Sequence, residues 1–145
     1  MGCDIHPYIE VRINGKWLCV GVPEAHRNYA VFSKLSGVRG YPDDNTPEEL
    51  LPLGDGEREM MLPEDSDEEL QKAYEEWGMD AHSLTVMPLQ QLRVFVRHYG
   101  RQNKNDDEEK QWQSACEVGT WLDICEEYVG SGMAEDARVV MWYDN

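Results

Sequence analysis

At 145 residues, of which 41% are hydrophobic and 29% charged, the chain can bury one core and predicts a single domain over residues 1–145. Its formal net charge of −16 offers no basic stripe for a nucleic-acid duplex, and no stretch is long and apolar enough to span a bilayer. The opening lacks the apolar run of a signal peptide, so the expected location is cytoplasmic, with Cys3, Cys19, Cys116 and Cys125 as thiols.

His6 to Ile13 alternates polar and apolar residues. Asn14 and Gly15 supply a tight two-residue hairpin loop, and Lys16 to Val22 forms the expected return strand. Pro7 cannot donate to a ladder, so the first strand is an edge there or begins there. Arg27 to Leu35 predicts a short helix with Tyr29, Phe32 and Leu35, or else Val31 and Leu35, on its apolar stripe and Gly37 as its stop. Val38 to Pro42 is a glycine-bracketed turn, followed by a long acidic connection. Ser66 and Glu69 have capping-box spacing at the head of a helix that runs to about Glu76 and is broken by Gly78. His82 to Met87 predicts a third strand. Pro88 opens a helix through Tyr99, with Leu89, Leu92, Val96 and Tyr99 on one face. After a polar loop, Trp112, Cys116, Leu122, Cys125 and Val129 recur at helical spacing, and Arg138 to Tyr143 predicts the last strand. The sum is an α+β fold: a small antiparallel sheet of N-terminal hairpin, middle strand and C-terminal strand, with helices packed on one face.

The charge is concentrated. Residues 43–76 hold 14 acidic and 2 basic residues, and the rest of the chain holds 15 acidic and 11 basic. This marks an acidic loop and helix insertion over about 41–76, exposed to solvent.

Two patterns carry chemistry. In the first strand Cys3, Ile5, Pro7, Ile9, Val11 and Ile13 point to one face, while Asp4, His6, Tyr8, Glu10 and Arg12 point to the other. Asp4 and His6 form a D-x-H pair, and Asp80 and His82 form a second. Carboxylate and neutral imidazole are ligands for zinc, manganese and iron, and they also serve as a base with its orienting partner. The pairs would meet if the first and third strands were neighbours. The alternative is that His6 and His82 are ordinary hydrogen-bonded residues near the core. The second pattern is Arg27, Asn28, Tyr29, Phe32 and Arg39. An arginine fork beside free backbone amides suits a phosphate or carboxylate, and aromatic rings stack a base.

The stretches MGCDIHPYIEVRINGKW, RNYAVFSKLSGVRG, YPDD and EWGMDAHSLT resemble a largely uncharacterised family of small bacteriophage and prophage proteins. Its members open with M-G-C-D-I-H and continue through R-N-Y-x-L-F-x-x-L-x-G-V-R to W-G-x-D-x-H-S. The likeness spans roughly the first 90 residues. It points to Cys3, Asp4, His6, Arg27, Asn28, Tyr29, Arg39, Asp80, His82 and Ser83 as the matching positions. Here GVRG passes almost directly into YPDD, where the family carries a longer glycine-rich loop.

The resemblance implies a viral protein acting in the host cytosol. By analogy, the expected function is binding of a small phosphate-bearing nucleotide, sequestering a host immune second messenger. Arg39 and Arg27 would hold phosphate, and Tyr29 or Tyr8 would stack. Asn28 and Ser83 would add contacts, and Asp4, His6, Asp80 and His82 would line the pocket. A homo-oligomer would complete it. One alternative is a phosphodiesterase in which those same four residues hold a divalent metal or act as acid and base. Another is an acidic inhibitor that docks on a host protein.

Overall fold

The computed structural model describes residues 2–27, 29–38, 62–99 and 108–144, apart from the side chains of residues 30 and 108–116. The described residues form a four-stranded sheet in the order β2-β1-β4-β3, with every neighbouring pair antiparallel. The strands are β1 (Ile5–Ile13), β2 (Lys16–Gly21), β3 (His82–Pro88) and β4 (Asp136–Tyr143). The helices are α1 (Tyr29–Ser36), α2 (Glu68–Trp77), α3 (Leu89–Tyr99) and α4 (Glu108–Gly130), with a 3₁₀ turn over Gly78–Asp80. This is the expected α+β fold. The glycine-bracketed turn beyond Val38, the acidic insertion as far as residue 61 and the loop after Tyr99 lie outside the described residues, as do the side chains of Trp112 and Cys116.

Local chemistry explains the elements. Asn14 and Gly15 adopt φ of 51° and 77°, the paired left-handed values of the expected hairpin loop. β2 pairs with β1 only from Ile9 onward, so the β2 side of Pro7 lies beyond that pairing. Pro88, expected to open α3, instead ends β3 opposite Arg138. β3 is an edge strand, where a missing N–H is tolerated, and the helix begins one residue later. The head of α2 also differs from expectation. Asp67 is the N-cap, accepting the Glu69 N–H at 2.8 Å, because the Ser66 hydroxyl is drawn into the buried Glu10–Arg138 pair.

The alternation of β1 sorts its side chains as the sequence predicts. Ile5, Ile9 and Val11 join Ala137, Val139, Met141 and Tyr143 on one face. Against this face pack Val31, Phe32 and Leu35 of α1, Leu89, Leu92 and Phe95 of α3, and Val118, Trp121 and Cys125 of α4. Burial pushes the Cys125 thiol pKa up to about 12, as for a packing residue.

The expectation of helices on one face holds for α1, α3 and α4; α2 occupies the other. Its Leu70, Ala73, Tyr74 and Trp77 cover Tyr8, Leu84, Val140 and Trp142. The row that begins with His6 and Tyr8 is therefore roofed rather than solvated, and Glu10 is fully buried. Among the described residues no helix is long and apolar enough to cross a membrane.

Candidate functional site

The amino-terminal residues lie where β1 begins, β4 ends and β3 begins. The register places Ile5 and His82 both opposite Tyr143, on either side of β4. Three stretches far apart in sequence meet at this end of the sheet.

The first contact is Asp4 with Arg27. Arg27 Nε donates to Asp4 Oδ1 at 2.9 Å and Nη2 donates to Oδ2 at 3.0 Å, a bidentate fork. That fork holds the Asp4 carboxyl below its ordinary pKa and raises that of Arg27. The guanidinium lies across Gly2, where a Cβ would overlap it. Next, the backbone N–H of Cys3 donates to the Tyr29 hydroxyl at 3.1 Å, and Cys3 Sγ sits 3.9 Å from His82 Nε2. On the other side of that ring, His82 Nδ1 is 3.0 Å from Ser83 Oγ.

Ser83 has a φ of 55°, within the register shift between His82 and Thr85. A serine in the left-handed region is unusual, and here it accompanies the bulge that re-aims His82 and Ser83. A chain of buried hydroxyls runs beneath, from Thr85 to Ser36 at 2.8 Å and from Ser36 to Tyr143 at 2.8 Å.

His6 looks the other way. Its Nε2 lies 2.6 Å from Asp144 Oδ2, and its ring packs on Trp77 with centroids 4.4 Å apart. Asp144 is tied to Asp4, donating its backbone N–H to the Asp4 carbonyl at 3.0 Å and accepting the Asp4 N–H at 3.4 Å. His6 and Asp4 thus share Asp144, while Cys3, Tyr29, His82 and Ser83 form the adjoining cluster.

The two D-x-H pairs do not converge on one metal. β4 separates β1 from β3, strand alternation sends His6 toward α2, and His82 reaches Cys3. Asp4 is held by Arg27, and Asp80 stands exposed on the 3₁₀ turn. Among the described residues no three His, Cys, Asp or Glu side chains are grouped to hold a metal ion, so the expected set of Asp4, His6, Asp80 and His82 is not assembled.

Of the expected ligand-binding residues, Arg27, Tyr29 and Ser83 belong to this end of the sheet. Tyr8 does not: it stacks on Trp142 under α2, with centroids 4.7 Å apart, and burial raises its pKa. Asn28 and Arg39 lie outside the described residues. Sequence reasoning missed Asp144 and Trp77 as partners of His6. Trp77 lies in the quoted EWGMDAHSLT stretch, whereas nothing local to Asp144 announces its role.

Beside the site, α2 and the start of β3 enclose a groove of about 630 Å³. Leu62, Pro63, Glu64, Gln71, Tyr74 and Glu75 line it opposite Ala81 to Leu84.

No family model matches the chain, and the searches found no matching curated protein and no matching solved structure.

Proposed function

We propose that the chain binds a small phosphate-bearing nucleotide at this end of the sheet and, as a phage-type protein, withdraws a host immune signal by sequestration. The observation that carries this reading is the meeting of residues 2–6 with Arg27, Tyr29, His82 and Ser83, which share contacts despite their separation along the chain. The half-exposed Arg27 fork, oriented by Asp4, presents its remaining N–H groups to an oxyanion. Ser83 and His82 add a hydroxyl and an imidazole, the Tyr29 hydroxyl is held at Cys3, and the Trp77 ring lies against His6. The reading includes a homo-oligomer in which a neighbouring copy closes the open side.

The test is retention. The protein is incubated with cyclic mono- and dinucleotides, desalted and heat-denatured, and the supernatant is analysed by chromatography. Intact nucleotide released from the wild type, and at least tenfold less from Arg27→Ala, is the expected result. Absence of any retained nucleotide overturns the reading.

A second reading, a metal-independent phosphodiesterase, draws on the His6–Asp144 couple. A carboxylate that orients an imidazole is the arrangement for proton transfer to or from a reacting group. A released product that is cleaved, is formed in EDTA and is lost in His6→Ala would favour it over sequestration.

A further inference from the structure

The groove between α2 and β3 differs in chemistry from the Arg27 end. Among the described residues no lysine or arginine lines it, and Glu64 and Glu75 both do. Gln71 donates its amide N–H groups to the carbonyls of Ser66 at 2.7 Å and Glu64 at 3.4 Å, which leaves its own carbonyl oxygen to accept from a ligand. Tyr74 is held edge-on to Trp142, with centroids 5.1 Å apart, so its ring orientation is set by the protein. A lining of carboxylates, an amide oxygen and a fixed ring repels phosphate. It suits a flat group that carries N–H donors. The volume falls within the usual range for small-molecule sites. The groove also joins the site above, because His82 lines it and lies against Cys3.

We infer that the groove takes the nucleobase of the bound nucleotide, and that this base presents adjacent N–H donors, as guanine does through N1–H and its 2-amino group. The inference rests on the nucleotide reading. One carboxylate, Glu75 or Glu64, accepts both guanine donors as a bidentate pair, while the phosphate points toward Arg27. Hypoxanthine lacks the amine and keeps one donor. Uracil turns a carbonyl toward the carboxylate on each side of its single N–H. Adenine offers its amine beside an acceptor nitrogen.

The experiment measures affinity by calorimetry for guanine, hypoxanthine, adenine and uracil nucleotides, each as the 5′-monophosphate and as the 3′,5′-cyclic dinucleotide. Guanine is expected to bind at least tenfold more tightly than hypoxanthine in whichever form binds, the difference of one charge-assisted hydrogen bond. Glu75→Gln and Glu64→Gln are both exposed positions, so the folded protein is retained. At least one of them is expected to erase the guanine preference. Arg27→Ala is expected to weaken all four bases alike. Nucleotide binding without base preference, or a preference untouched by both glutamine variants, overturns this inference and leaves the nucleotide reading standing. Failure of every nucleotide to bind overturns both.

Discussion

Replacing Glu10 with alanine removes the carboxylate on which the second face of the sheet is organised. Glu10 is fully buried and accepts from Arg138 Nε at 2.8 Å, the Asp67 N–H at 2.8 Å and Ser66 Oγ at 3.3 Å. Arg138 is itself buried, with its guanidinium 3.9 Å above the Trp17 ring. Removing one member of a buried pair strands the other charge, a loss of about 3–5 kcal/mol. Here Asp65 still accepts from Arg138 Nη2 at 3.1 Å, which places the expected loss near the lower end, about 3 kcal/mol. In urea unfolding, with a slope of about 2 kcal/mol per molar, the midpoint falls by about 1.5 M. The double variant Glu10→Leu/Arg138→Met strands neither charge and is expected to recover to within about 1 kcal/mol of wild type. Hydrogen exchange supplies a local readout. The Asp67 N–H heads α2, so the amides of α2 lose protection before those of β4 in Glu10→Ala. A loss below about 1 kcal/mol in the single variant, or a double variant no better than the single, refutes the account of this pair as the clamp on α2.

Ile9→Ala, at a fully buried position of β1, is expected to lower unfolding free energy by about 3 kcal/mol in the same assay. His6→Ala, which breaks one hydrogen bond at a side chain 25% exposed, leaves the protein folded at a loss of about 1 kcal/mol. His26 pairs through Nδ1 with Glu117, and this hydrogen bond raises its pKa above the ordinary 6.5. The pair's contribution to stability is therefore complete below pH 6.5 and is lost as pH rises through the higher folded value. An NMR titration is expected to place the His26 midpoint above 6.5, and Glu117→Gln to lower it; equal midpoints in the two proteins would refute the pairing.

Much of the site was legible residue by residue. Asp4, His6, Arg27, Tyr29 and His82 were singled out for their carboxylate, imidazole, guanidinium and ring, and Ser83 through the resemblance; the structure puts all six at one end of the sheet. Their pairings were not legible. Asp4 looked like a ligand beside His6, yet its carboxylate belongs to Arg27. His6 takes its partner from the far end of the chain, at Asp144. Glu10 sat in the polar row that points to the other face of β1, and only the arrival of α2 and Arg138 explains how a glutamate is fully buried there.

By itself the sequence determined what short-range physics decides. Asn14-Gly15 forces the hairpin through its left-handed backbone, alternation along Ile5 to Ile13 sorts the two faces, and helical spacing in Leu89 to Tyr99 sets which side is buried. Tertiary structure alone decided which strands are neighbours. The carboxy-terminal strand inserts between the first and the third, so the two aspartate–histidine pairs part and Asp144 comes to His6. Turn chemistry and periodicity act over a few residues, whereas strand order is settled by burial of whole faces contributed by distant segments, and no local pattern encodes that competition.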